Sequence, residues 1–78
     1  MQFQQATEGD FQIYAGALEA PQGDGYTAAV IVSLGGRDAW RDERMAGGHR
    51  WPNAQEALAY AVRYARKVIR HEPESLRV

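Results

Sequence analysis

The 78-residue sequence has no cysteine, only three prolines, and no lysine or arginine before Arg37. The absence of cysteine excludes a disulfide framework, a thiolate metal ligand and a cysteine nucleophile. No apolar run approaches the roughly 18 residues that a membrane-spanning helix needs. The segment Met1–Gln5 lacks the basic and apolar regions of a signal peptide. We therefore expect a cytoplasmic protein that does not contact a membrane.

Charge is divided unevenly between the two halves of the chain. Residues 1–36 carry four acids and no cation, a charge of −4, whereas residues 37–78 carry nine cations and six acids, a charge of +3. The net charge of −1 and the isoelectric point near 6.1 differ from those of strongly basic nucleic-acid binders. Overall charge therefore disfavours nucleic acid as a partner.

The length permits one domain, which we place at residues 1–78. A chain of this size is near the lower limit at which a hydrophobic core offsets conformational entropy. Its 45% hydrophobic and 24% charged residues are typical of a globular domain. We expect residues 1–9 to form a short extra strand or to fray, and residues 72–78 to form a C-terminal tail.

Three segments have the alternation of a β-strand. Phe11–Ala20 alternates clearly, and Tyr26–Leu34 is apolar on both faces, which is typical of a central strand. Asp38–Met45 alternates weakly and is polar, which is typical of an edge strand. Turn residues separate the segments, at Pro21–Gly25 and at Gly35–Gly36. This order predicts an antiparallel meander.

One long helix follows the strands. Asn53 is a suitable N-cap, and Glu56, three residues later, completes a capping box. Apolar residues recur at helical spacing from Leu58 to Ile69, and Pro73 ends the helix. The predicted fold class is therefore α+β, a three-stranded antiparallel meander (β-β-β-α) with one long C-terminal helix packed on one face.

Four cations fall within an arc of about 100° on the predicted helix, opposite its apolar stripe. These residues are Arg63, Arg66, Lys67 and Arg70. They form a candidate partner-binding or nucleic-acid face that could neutralise phosphates, although the pattern favours the alternative given next. The alternative is a solvated surface whose cations suit the helix dipole. Tyr60 and Tyr64, one turn apart, could stack on bases or could simply flank the core.

A single helix covers only one face of the sheet. Tyr14, Leu18 and Ile31, with Trp40 or Met45 beside them, are therefore predicted to form an exposed apolar interface on the other face. Self-association or an unknown protein partner would cover this interface. The alternative is that the N-terminal segment folds over it.

The sequence shows no pattern typical of catalysis or metal binding. It has no phosphate-binding loop, no nucleophile elbow, and no nucleophile paired with a base. His49 and His71 lack a third ligand, so a zinc site has little support. Asp38, Asp42 and Glu43 fit a solvated edge strand better than a magnesium site. We expect no enzyme, no cofactor, no catalytic residue and no metal site.

Three short motifs are similar to those of a group of bacterial proteins. They are Phe11-Gln-Ile-Tyr14, Gly25-Tyr-Thr-Ala28 and Trp51-Pro-Asn-Ala-Gln-Glu-Ala57. Over residues 10–70 the chain resembles short bacterial proteins of unknown function with a β-β-β-α layout. The resemblance implies this fold and no activity.

The chain also resembles HicB-type antitoxins in part. Gly25–Ala28, Leu34–Gly36 and Gln55–Leu58 occur in the order of that family's motifs. This resemblance implies a domain that occludes an RNA-cleaving toxin. The family's proline-rich turn and its appended DNA-binding domain are missing here, so operator binding is not implied.

The functional prediction is an uncharacterised, non-enzymatic bacterial interaction module whose partner is unknown. One alternative is a HicB-like antitoxin domain. The other is an RNA- or DNA-binding module that uses the basic face of the helix.

Overall fold

The computed structural model describes residues 1–21, 23–43 and 49–77. In chain order its elements are β1 (Gln2–Glu8), β2 (Phe11–Glu19), β3 (Tyr26–Leu34), β4 (Arg37–Asp42), α1 (Ala54–His71) and α2 (Pro73–Arg77). The strands form one antiparallel sheet in the order β1-β2-β3-β4. The α+β class and the meander are thus confirmed, but the meander has four strands instead of the three predicted.

The additional strand, β1, forms one edge of the sheet. It pairs with β2 over its whole length, through a two-residue turn in which Gly9 has a φ of 58°. Within β1 only Ala6 and Glu8 are even half-buried. Because both faces of the strand are largely exposed, its sequence has no alternation of apolar and polar residues. Of the two outcomes expected for residues 1–9, the extra strand is the one found.

The two connections on either side of β3 differ in kind. Gly35 and Gly36 have φ values of 62° and 82° and form a two-residue turn, as a type I′ hairpin requires. The connection from β2 to β3 is longer. It includes Asp24 and Gly25, and it ends where Tyr26 and Trp51 exchange two backbone hydrogen bonds of 2.8 Å. This bridge holds the segment before α1 against the start of β3.

Local signals set both ends of α1. The Asn53 Oδ1 accepts a hydrogen bond from the Glu56 backbone N–H at 2.9 Å, which confirms the predicted cap. The helix ends at His71, and Pro73 begins α2, because proline cannot donate the next helical hydrogen bond but fits a first turn. Neither helix in the described part of the chain is long and apolar enough to cross a membrane.

The hydrophobic core lies between α1 and one face of the sheet. Its buried side chains come from alternate positions of β2 and β3 and from one stripe of α1, as the sequence pattern predicts. They include Phe11, Ile13, Ala15, Ala17, Ala28, Val30, Val32, Ala57, Leu58, Ala61, Val62, Ala65 and Ile69. Among the described residues, no second layer covers the opposite face of the sheet.

The C-terminal segment is a short helix and not the tail that we predicted. Leu76 is only 6% exposed and joins the core, while α2 contacts both α1 and β4. The Arg77 guanidinium lies 5.0 Å from the centroid of the Phe11 ring and pairs with Asp10 at 3.3 Å. One apolar residue among polar neighbours carries no periodicity, so the pattern could not reveal this packing.

Candidate functional site

The uncovered side of the sheet, which we call the open face, carries exposed apolar side chains. Phe3 is 74% exposed, Tyr14 41% and Leu18 37%. They share one face because Phe3 pairs with Gly16, and Tyr14 and Leu18 lie two residues to either side of that glycine. Ile31, paired with Tyr14 and half-buried, lies on the same face. The structure therefore brings the three predicted apolar residues together.

Phe3 extends the open face beyond the predicted set. Two carbons of its ring lie 3.8 Å from the position that a Cβ atom on Gly16 would occupy. The ring therefore covers a backbone that has no side chain of its own, a recurrent pairing in sheets. With Met1, Tyr14 and Leu18 it lines a shallow groove of about 370 Å³. The N-terminal segment thus lies beside β2 and enlarges the apolar face.

Polar residues border the open face along β4. Arg41 pairs with Asp38 at 2.8 Å and with Glu43 at 3.5 Å. Trp40 does not join this face as we predicted. A bulge in β4, seen as a register shift between Val32 and Ser33, places Trp40 opposite Val32 on the helix side of the sheet. Met45 lies outside the described residues.

Two of the four predicted cations of α1 pair with β1. Arg70 donates from Nε to Glu8 Oε2 at 2.8 Å and from Nη2 to Oε1 at 3.3 Å. Arg66 lies 3.5 Å from the same carboxylate and donates to the Thr7 carbonyl at 3.4 Å. The hydrogen bond from Arg70, aided by both positive charges, lowers the pKa of Glu8, and the same hydrogen bond raises the pKa of Arg70. These contacts fasten the edge strand to the helix.

The other two cations have a different environment. Among the described residues, neither Arg63 nor Lys67 forms an ion pair. The Arg63 guanidinium lies 6.0 Å from the centroid of the Tyr60 ring. The predicted basic arc therefore consists of one pair of arginines that serves the fold and one pair of cations beside aromatic rings.

A row of aromatic rings runs along the side of α1 that faces β4. Successive centroid distances are 4.9 Å between Trp51 and Tyr60, 6.0 Å between Tyr60 and Tyr64, and 5.8 Å between Tyr64 and Trp40. We call these four residues the ring row. All four are half-buried. The sequence indicated the two tyrosines, but the bulge that brings Trp40 to them gave no local signal.

Two adjoining grooves follow the ring row, with volumes of about 430 Å³ and about 420 Å³. Tyr64, Lys67 and His71 line both of them. Arg63 lines the first, whereas Glu72 lines the second. We call the first the helix groove. Its walls combine aromatic rings with cations, whereas the second groove includes an acid.

The comparisons with known proteins identify a family that covers almost the whole chain. A family model described as "Domain of unknown function (DUF6566)" matches residues 1–77. Neither the search of curated proteins nor the search of solved structures found a match. These comparisons do not show the HicB-type resemblance, and they assign no function to the residues of either surface.

Proposed function

Because the chain belongs to the DUF6566 family, whose description assigns no activity, we propose its function from the geometry. The protein is a non-enzymatic interaction module whose open face docks a second copy of the same chain. One observation carries this proposal: Phe3, Tyr14 and Leu18 are exposed together on a sheet face that no other described element covers. Contiguous apolar surface of this kind typically marks an interaction site.

The charges around the open face favour a second copy over a strongly charged partner. Along β4 the open face is bordered by charged residues, in which Arg41 pairs with Asp38 and Glu43. On β1 and β2 the polar residues of this face are uncharged, such as Gln5 and Gln12. Two such faces meet without strong repulsion. A twofold axis would also place the same apolar side chains on both sides of the contact.

The area of the open face determines how tightly we expect two copies to bind each other. The area of the open face follows from the dimensions of the sheet. Four strands spaced by about 4.8 Å, with about seven residues each at about 3.3 Å per residue, give an area of roughly 450 Å² per copy. Two copies would bury roughly 900 Å², slightly below the ~1,000 Å² of small specific interfaces. The dimer should therefore be weak and should depend on protein concentration.

The contacts of the titratable groups support a non-enzymatic role. Glu8 and Arg70 have shifted pKa values, but each shift arises from their mutual hydrogen bond. That bond connects a strand to a helix. Among the described residues, Ser33 is the only polar side chain that is buried, and its hydroxyl donates to the Arg37 carbonyl at 3.1 Å. These polar contacts have structural roles.

Sedimentation analysis over about 1 µM to about 500 µM protein tests the proposal. We expect the wild type to pass from monomer to dimer over this range. Leu18→Lys should remain monomeric, because it places an unpaired charge in the apolar contact. Ala59→Lys adds the same charge to an exposed position of α1 and should dimerise as the wild type does. A wild type that stays monomeric, or a Leu18→Lys variant that dimerises equally well, would contradict the proposal.

A further inference from the structure

We propose that the helix groove is a binding site for single-stranded nucleic acid. Bases would stack on Tyr60 and Tyr64, and phosphates would contact Arg63 and Lys67. This site lies on the helix side of the molecule, whereas the proposed dimer contact lies on the open face. The two proposals therefore stand or fall separately.

The ring row supplies the contact for bases. Tyr60 and Tyr64 lie one turn apart on α1 with centroids 6.0 Å from each other, and both line the helix groove. Trp51 packs on Tyr60 and Trp40 packs on Tyr64, so each tyrosine ring is held in place by a tryptophan outside the groove. Because the rings are half-buried and pack on one another, little side-chain entropy remains to be lost on binding. Stacking on aromatic rings is tolerant of base identity, so we expect little sequence preference.

Arg63 and Lys67 supply the contact for phosphates. Neither forms an ion pair with a described acid, and both line the same groove as the two tyrosines. Arg66, by contrast, is engaged by Glu8 and by the Thr7 carbonyl. Glu72 borders the neighbouring groove and would repel phosphates there. The charges therefore direct an anionic chain along the side of the groove that holds Arg63 and Lys67.

The combination of rings and cations favours a single strand over a duplex or an acidic peptide. A duplex hides the faces of its bases, so the tyrosine rings could not stack on them. An acidic peptide would meet the cations and leave the rings without a partner. Single-stranded RNA and DNA present both a charged backbone and free base faces.

This site can be tested by fluorescence anisotropy with labelled single-stranded RNA and DNA oligonucleotides of about 10 nucleotides. With two phosphate contacts, the dissociation constant should rise roughly sevenfold between about 50 mM and about 200 mM salt. Lys67→Gln should weaken binding and reduce the slope of log K against log salt by about 0.7. Arg66→Gln removes the same charge from the same helix, and it should leave affinity and slope unchanged.

Ring variants test the stacking contact separately. Tyr60→Ala should weaken binding roughly 5- to 150-fold, the range expected for loss of one stacked base. Thermal melting shows that each variant is folded. Three results would overturn the proposed site. The first is that the protein does not bind the oligonucleotides at about 50 mM salt, and the second is that Lys67→Gln and Arg66→Gln lose the same amount of affinity. The third is that the protein binds a duplex, or polyglutamate of the same charge, as tightly as the single strand.

Discussion

At Gly25 the backbone of the β2–β3 connection lies directly against the backbone of Trp51. The residue has a φ of 89°, and a Cβ atom placed on it would lie 2.6 Å from the Trp51 carbonyl oxygen. The sequence marks Gly25 as a turn residue. It gives no sign of the neighbouring strand-like segment, which lies 26 positions further along the chain, because that contact forms only in the folded molecule.

We predict that Gly25→Ala lowers the free energy of unfolding by about 3 kcal/mol, since strain in the left-handed region adds to a steric clash. Gly23→Ala is the matched control. Gly23 has a φ of 69° with no atom within 4 Å of the added Cβ. Gly23→Ala should therefore lower the free energy of unfolding by only about 1 kcal/mol. Urea denaturation followed by tryptophan fluorescence measures both values. Equal costs would show that the contact with Trp51 does not constrain residue 25.

The elements differ in how well the sequence predicts them. The start of α1 is fixed by neighbours in the chain, Asn53 and Glu56, and was therefore predictable. Strand β1 is stabilised by pairing with β2 and by the bonds from Arg66 and Arg70, which a local pattern cannot show. The same holds for the candidate sites, because the bulge in β4 and the pairing of Glu8 depend on long-range contacts.

We predict that Asn53→Ala destabilises the protein by about 1 kcal/mol, because the backbone N–H of Glu56 loses its acceptor. Asn53→Ser keeps a side-chain acceptor at the cap and should retain most of the stability. Thermal unfolding monitored by circular dichroism compares the two variants with the wild type. If Asn53→Ser and Asn53→Ala reduce the stability equally, the hydrogen bond at the cap makes no contribution to stability.

In the whole molecule the acidic and basic halves of the sequence meet. Glu8 lies between Arg66 and Arg70 of α1, and Asp10 pairs with Arg77 of α2. Opposite charges near the two ends of the sequence thus lie side by side in the folded molecule, so the division of charge has a structural role. This arrangement accounts for part of the basic arc without reference to any partner.

Glu8 makes the stability of the fold depend on pH. Its pKa in the folded protein lies below the ordinary value of 4.5, so its stabilising contribution is present above that value and is lost as pH falls through the folded pKa. We predict that Glu8→Gln has a lower urea midpoint than the wild type near pH 7, and that the difference shrinks toward about pH 3. A difference that is independent of pH would refute this assignment.

Glu19→Gln is the control for this experiment. Glu19 is exposed at the end of β2 and forms no ion pair with a described residue. Its substitution should leave the urea midpoint near that of the wild type across the same pH range. If Glu19→Gln lowered the urea midpoint as much as Glu8→Gln does, the effect would come from the change in net charge and not from the contacts of Glu8.

The order of the meander has a consequence for folding. Every strand pairs with its neighbour in sequence, so the sheet can assemble through short loop closures. Until helix α1 docks, the core side of the sheet, with Ile13, Val30 and Val32, is exposed to water. A substitution that delays or weakens the docking of α1 would therefore expose apolar surface on both faces of the sheet and would favour aggregation.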